Sequence, residues 1–174
     1  MKIIANITYE SVLSEITDIE QRNQVFNNLD RQSQRMEIAW DALQLITSGK
    51  VKACDGDYWS DSLLNIKGNS KELQNVLVNK LPECEVCARG LMMLSQIRLG
   101  NDIDSNDTFR YDGGRTNMKG FSYSSYIKME MEYEHSNFTT FYKSRSEEKL
   151  ANICCNILVN GNFNSKDKFN YLTI

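Results

Sequence analysis

The sequence predicts one compact domain, residues 1–174, of the α+β class and predominantly helical, with a small strand element. Apolar residues recur at helical spacing along three long segments, whereas the alternation typical of strands is confined to short stretches. No internal repeat and no linker divides the chain. With 174 residues, 41% of them hydrophobic, the chain can bury a core without a disulfide or a metal ion.

The first long helix is predicted over residues 31–48. Its apolar residues form one stripe at three- and four-residue spacing: Met36, Ala39, Trp40, Leu43 and Ile46. Asp30 precedes the helix, and its short side chain is suited to accept hydrogen bonds from the first free amides. Gly49 follows the helix and tolerates the left-handed conformation in which helices commonly end.

The second long helix is predicted over residues 83–99, where Pro82 stands at its entrance. Its stripe consists of Cys87, Gly90, Leu91, Leu94 and Ile97. A glycine inside a helix costs about 1 kcal/mol relative to alanine. We therefore expect another element to approach the helix closely at Gly90.

The third long helix is predicted over residues 146–160. Ser144 and Glu147 have the spacing of a capping box at its start, and Gly161 is suited to end it. Its apolar stripe consists of Leu150, Ile153, Cys154, Ile157 and Leu158.

Shorter elements are predicted in the rest of the chain. Residues 9–28 indicate one or two short helices, and residues 70–79 indicate another. Residues 51–59 indicate a strand that contains a turn. Residues 121–133 indicate a strand or hairpin, and the glycine-rich residues 100–120 indicate a long loop.

Charge and cysteine content limit the partners and the compartment. The net charge is −3 and no block is strongly basic, so duplex nucleic acid is not an expected partner. The chain has no signal-peptide pattern and no run of about 20 apolar residues, so no membrane is expected either. An odd number of cysteines, five, indicates free thiols in a reducing compartment. We expect a cytoplasmic protein. The sequence is also compatible with a homo-oligomer.

The segment Cys84-Glu85-Val86-Cys87 is a C-x-x-C pair, which is half of a typical zinc site or a thiol–disulfide redox pair. A zinc ion would need two further ligands, and no second pair has the matching spacing. No βαβ pattern, typical of redox proteins with this motif, is recognisable around it. Cys84 and Cys87 are therefore candidates for metal or redox chemistry, with packing as small core residues as the alternative.

The segment 109–126 has the composition of an anion-binding loop. Its glycines would let backbone amides approach a phosphate, its basic side chains would neutralise it, and its tyrosines would stack on a base. The candidate ligand-binding residues are Arg110, Tyr111, Arg115, Lys119 and Tyr123. The segment contains neither a Walker loop nor a dinucleotide fingerprint. It indicates a small nucleotide-like ligand or, alternatively, a surface loop whose glycines serve turns.

No catalytic set is recognisable. The only histidine is His135, and a serine or cysteine nucleophile generally needs a positioned base. Its polar neighbours Glu134 and Ser136 indicate an exposed position rather than an active site. The sequence favours a non-enzymatic protein without a cofactor, although a site assembled from distant positions would leave no local motif.

Three segments resemble those of a group of small bacterial and phage proteins that have no established activity. They are Arg35–Leu43 followed by Gly56-Asp57-Tyr58, Cys84–Gly90 running into Ser95–Leu99, and Leu150–Gly161 followed by Phe163, of which the C-x-V-C-A-x-G pattern at Cys84–Gly90 is the most recognisable. The resemblance covers about a third of the chain and carries over no catalytic residue. It implies a phage- or prophage-associated accessory protein.

The predicted function is that of a phage- or prophage-type accessory protein, acting without catalysis. It would bind and inhibit a host defence protein or sequester a small ligand. One alternative is a nucleotide-signal binder that uses residues 109–126. The other is a zinc or thiol-redox protein centred on Cys84 and Cys87.

Overall fold

The computed structural model describes residues 3–4, 7–54, 70–81, 84–100, 147–164 and 172–173. Their helices are α1 (Ile19–Asn28), α2 (Arg31–Thr47), α3 (Ser70–Asn79), α4 (Ala88–Gly100) and α5 (Glu147–Asn160). Their strands are β1 (Ile3–Ile4), β2 (Val51–Ala53), β3 (Cys84–Val86) and β4 (Leu172–Thr173). The predicted class, α+β and predominantly helical, is confirmed. The strand or hairpin predicted over 121–133 lies outside the described residues, as does the predicted loop beyond Gly100.

Helix α2 is the central element, and it packs against α5 on one side and α4 on another. The Asp30 carboxylate caps it by accepting hydrogen bonds from the amides of Gln32 at 2.8 Å and Ser33 at 2.9 Å. Gly49 follows its end with a φ of 72°, in the left-handed region. The predicted helix and both of its end signals are therefore confirmed.

The core lies where α2, α4 and α5 meet. The apolar stripe predicted for the third long helix is buried along α5, and most of the stripe predicted for α2 is buried as well. The hydrophobic cluster also includes Leu13, Phe26 and Leu77, which come from the segment before α1, from α1 and from α3. Burial of this apolar surface is the main force that holds the described helices together.

The prediction that one helix runs over 83–99 is wrong in its first turn. Residues Cys84–Val86 form strand β3, in which Cys84 and Val86 are buried and Glu85 is exposed, and the helix begins only at Ala88. Strand β3 pairs in parallel with β2, Val51 lying opposite Cys84. Pairing with β2 supplies the backbone hydrogen bonds that a helical turn would otherwise supply. The secondary structure of Cys84–Val86 is therefore determined by a tertiary contact rather than by the local sequence.

The parallel pair also corrects the view that no βαβ pattern surrounds the cysteine pair. Helix α3 lies between β2 and β3 in the chain, and two neighbouring parallel strands require such a crossover connection. The strands have three residues each, which is too short for an alternating pattern to be recognised. Of the strand predicted over 51–59, the described part is β2.

The remaining short elements agree in part with the sequence. The helix predicted over 70–79 is confirmed as α3, and the region 9–28 contains one described helix, α1. A second pair of strands, β1 with β4, joins the two ends of the chain antiparallel and was not predicted. None of the helices in the described ranges combines the length and apolar character needed to cross a membrane.

Helix α4 ends against the ring of Phe26 from α1. A Cβ atom placed on Gly100 would lie 2.4 Å from Phe26 Cδ1 and 2.6 Å from Cε1, and Phe26 is fully buried. Only a glycine leaves room for the ring at this distance. Gly90 is buried in α4, and the close approach expected there stays a prediction.

We expect Gly100→Ala to lower the free energy of unfolding by about 1–3 kcal/mol, because the new methyl group overlaps a buried ring. Alanine normally stabilises a helix relative to glycine, so a loss of stability would point to the overlap with the Phe26 ring. The measurement is urea denaturation. Combining the change with Phe26→Leu should give a loss smaller than the sum of the two single losses. A Gly100→Ala protein as stable as the wild type would contradict the close packing.

Candidate functional site

The predicted ligand-binding loop lies outside the described residues. This applies to Arg110, Tyr111, Arg115, Lys119 and Tyr123, and also to His135. The nucleotide-binding hypothesis therefore stays a prediction. The pocket found among the described residues has other walls, formed by residues between 11 and 99.

The C-x-x-C cysteines have the environment of packing residues. Cys84 and Cys87 are each 3% exposed, on β3 and at the start of α4. The Cys87 sulfur accepts a hydrogen bond from the Gly90 amide at 3.4 Å. Burial raises the pKa of the Cys84 thiol to about 11. Redox and metal chemistry need the thiolate, which this environment disfavours at Cys84.

No third ligand joins the pair in the part of the chain that the structure describes. Within those residues, no group of three or more His, Cys, Asp or Glu side chains could hold a metal ion. The five cysteines, all of them described, form no disulfide. Burial also raises the pKa of the Cys154 thiol, in the middle of α5, well above its usual value.

The polar centre of the described residues lies at the carboxyl end of α4. The Arg98 guanidinium donates from Nε to Asp41 Oδ2 at 3.0 Å and from Nη1 to the carbonyl of Leu77. The side chains of Arg98 and Asp41 are only 14% and 16% exposed. This ion pair joins α4 to α2, and the bond to Leu77 joins α4 to α3.

The last carbonyl groups of α4 are satisfied by side chains from two other helices. The Arg98 carbonyl accepts hydrogen bonds from Arg22 Nη2 at 3.1 Å and Gln74 Nε2 at 3.2 Å. The Gly100 carbonyl accepts one from Asn27 Nδ2 at 3.3 Å. Carbonyls in the last turn of a helix lack a partner within the helix, so these donors from α1 and α3 cap it.

Arg22 is a cation that contacts no carboxylate among the described residues. Its guanidinium donates to the Arg98 carbonyl, and its Nε atom is buried with no hydrogen-bond partner among the described residues. Burial lowers the pKa of the Arg22 guanidinium below its usual value, nearby Asp41 acts in the opposite direction, and Arg98 lowers the pKa further. Since Asp41 already pairs with Arg98, two guanidinium groups share one carboxylate here.

Glu37 is the opposite case, a carboxylate without a cation. It is 2% exposed and accepts hydrogen bonds from the hydroxyl of Tyr9 at 3.0 Å, the hydroxyl of Ser11 at 2.5 Å and the amide of Val12 at 2.9 Å. All three donors are neutral, and within the described residues Glu37 forms no ion pair. Burial and the charge of Glu37 both raise the pKa of the Tyr9 hydroxyl, so this bond is kept across the physiological pH range.

Arg22 and Glu37 both line a pocket of about 320 Å³. Helix α2 provides one wall through Glu37, Trp40, Asp41 and Gln44, which share one face because they are three or four residues apart. The Trp40 ring is half-buried and packs at 55° against Tyr9, with 5.8 Å between the ring centroids.

The other walls come from three separate elements. The segment before α1 contributes Leu13 and Ile16 together with the hydroxyl groups of two serines, α1 contributes Arg22, and α4 contributes Leu99. The pocket thus combines an apolar surface with a guanidinium and two carboxylates. Its volume is at the lower end of the range of small-molecule sites, about 300–1,000 Å³.

The sequence analysis did not identify this pocket. It assigned Trp40 to the apolar stripe of its helix and singled out neither Arg22 nor Glu37. One signal was present: Glu37 and Asp41 are carboxylates one helical turn apart, an unfavourable pair unless cations from other elements compensate them. Which arginines lie nearby depends on how α1 and α4 pack, so the sequence does not reveal it.

We expect Asp41→Asn to lower the free energy of unfolding by about 1.5–3 kcal/mol, because Arg98 loses a charged hydrogen-bond acceptor in a largely buried position. Urea denaturation measures the change. Glu15→Gln, which alters an exposed carboxylate, is the matched control and should stay within about 0.5 kcal/mol of the wild type. If Asp41→Asn is as stable as this control, the ion pair does not contribute to the stability of the helix packing.

We expect Cys84 to resist iodoacetamide at pH 8 in the folded protein. Its pKa of about 11, against an ordinary value of 9.0, makes the reactive thiolate about 100-fold scarcer, and burial hinders the reagent further. Cys54, which is partly exposed, is the internal control and should be labelled. Mass spectrometry of peptides measures both sites, and denaturing urea should make them equally reactive. Rapid labelling of Cys84 in the folded protein would restore the redox hypothesis.

No model of a known protein family matches the chain. No curated protein and no solved structure is significantly similar to it. The resemblance to small bacterial and phage proteins therefore stays a prediction, and the chemistry of the pocket is what bears on function.

Proposed function

We propose that this protein binds a small ligand, without catalysis, in the pocket between α1, α2, α4 and the segment 11–16. The observation that carries the proposal is the combination of an aromatic ring, Trp40, with the charged groups of Arg22 and Glu37 around one cavity of about 320 Å³. Ligand sites in proteins are mostly apolar cavities with a few convergent polar groups that fix the orientation of the ligand.

The buried charges support binding rather than a purely structural role. Placing a charge at a half-buried or buried position costs free energy unless an opposite charge compensates it. The Arg98–Asp41 ion pair meets this condition, whereas Arg22 and Glu37 do not meet it within the described residues. A bound ligand with complementary groups would recover part of this free energy.

The proposal selects one form of the function predicted from the sequence. The pocket supports the retention of a small ligand, and it offers no argument for a phage setting or for inhibition of a host protein. The ligand site also differs from the predicted one, since it uses Trp40 and Arg22 rather than the residues of the 109–126 segment.

We expect a screen of small metabolites by thermal unfolding to find at least one compound that raises the Tm. At a concentration 100 times its Kd, a ligand stabilises the folded state by about 2.7 kcal/mol. For a chain of this size, that corresponds to a rise of about 5–10 °C.

The pocket variant for this test is Trp40→Ala, which removes the aromatic wall and should abolish the rise in Tm. The matched control is Val159→Ala on α5, an apolar side chain that is 58% exposed and does not line the pocket. The proposal fails if no compound stabilises the protein, or if Trp40→Ala responds to the compound as the wild type and Val159→Ala do.

A further inference from the structure

Two charges of opposite sign that form no ion pair within the described residues line the same pocket. Arg22 donates to a carbonyl and Glu37 accepts from neutral donors only. Both residues line the cavity, yet they form no ion pair with each other in the described part of the chain. The other two charged groups at this place, Arg98 and Asp41, neutralise one another at 3.0 Å. The pocket therefore has a positive wall on α1 and a negative wall on α2.

A ligand with a single charge would compensate only one of these walls. An anion would pair with Arg22 but would also face the carboxylates of Glu37 and Asp41. A cation would pair with Glu37 but would also face Arg22. A ligand that contains both charges satisfies both walls at once, and its net charge of zero matches the sum of Arg22 and Glu37, since Asp41 is paired with Arg98.

The apolar walls define the rest of the ligand. Leu13, Ile16 and Leu99 come from two elements and enclose the cavity together with the Trp40 ring. A volume of about 320 Å³ leaves room for an aliphatic or aromatic side chain beside a small polar head. The burial of such a side chain would add to the affinity of the ligand.

We propose, on the basis of the binding function above, that the ligand is a zwitterion with an apolar side chain, that is, a free α-amino acid of the leucine type. The α-carboxylate pairs with the Arg22 guanidinium, a geometry in which arginine can donate two parallel hydrogen bonds. The α-ammonium group lies beside Glu37, and the side chain packs against Trp40 and Leu99. Asp41 stays bound to Arg98 and keeps the helices in place.

The first test compares three probes of nearly the same shape by isothermal titration calorimetry. They are L-leucine, 4-methylpentanoate, which lacks the ammonium group, and 3-methylbutylamine, which lacks the carboxylate. We expect leucine to bind at least about 10-fold more tightly than either analogue, the scale of one lost charge-assisted hydrogen bond. An analogue that binds as tightly as leucine would overturn the zwitterion, because the missing charge would then contribute nothing.

The second test uses two variants on the folded full chain. Glu37→Gln should make leucine and 4-methylpentanoate bind with equal affinity, and Arg22→Gln should do the same for leucine and 3-methylbutylamine. The matched controls are the exposed residues Glu10→Gln and Arg31→Gln, which should keep the preference of the wild type. If Glu37→Gln does not fold, since Glu37 anchors the segment 9–12, Arg22→Gln and the probe series still decide.

The outcomes separate this inference from the proposed function. If leucine fails while another compound raises the Tm in a manner that depends on Trp40, the pocket binds a ligand and the amino-acid assignment is wrong. If neither leucine nor any screened compound binds, both proposals are wrong. The assignment is also wrong if Arg22→Gln still prefers leucine to 3-methylbutylamine as strongly as the wild type does. The ligand carboxylate would then lie away from Arg22.

Discussion

Within a core held together mainly by apolar burial, the ion pair between Arg98 and Asp41 is the polar constraint that fixes α4 against α2. It forms near the end of α4, where backbone carbonyls have no partner inside the helix. The same arginine donates to the carbonyl of Leu77, and its own carbonyl accepts bonds from Arg22 and Gln74. One residue thus contacts α1, α2 and α3. Its position at the negative end of the α4 dipole adds to the stability of the cation.

The pocket is a consequence of this arrangement. Because Asp41 is paired with Arg98, the second arginine of the cluster, Arg22, contacts no carboxylate within the described part of the chain. One turn earlier on α2, Glu37 uses its oxygens to hold the segment around Tyr9 and Val12 instead of pairing with a cation. Arg22 and Glu37 come from different helices and line the same cavity without forming an ion pair with each other. The proposed binding site and the stability of the helices therefore depend on the same contacts.

The chemistry open to the C-x-x-C cysteines depends on their environment in the fold. Cys84 opens the second strand of a parallel β–α–β unit and Cys87 directly precedes α4, a setting compatible with redox chemistry. Their side chains are nevertheless buried, and desolvation keeps the Cys84 thiol protonated. The same cysteines contribute to the hydrophobic cluster that also contains Leu91 and Ile157. Within the described residues, both cysteines therefore have a packing role, and their metal or redox role stays a prediction.

The sequence by itself determined the helices that have strong local signals. The stripe from Ala39 to Ile46, the Asp30 cap and the stripe on α5 were all recognisable, because helical periodicity and capping involve residues within a few positions of one another. Tertiary structure decided what depends on distant pairing. The strand at Cys84 exists because Val51 lies beside it, and a three-residue segment has too little pattern to show this. Likewise, Arg22, Glu37 and Trp40 meet at one pocket only after α1, α2 and the segment before α1 have packed, since charge compensation acts through space rather than along the chain.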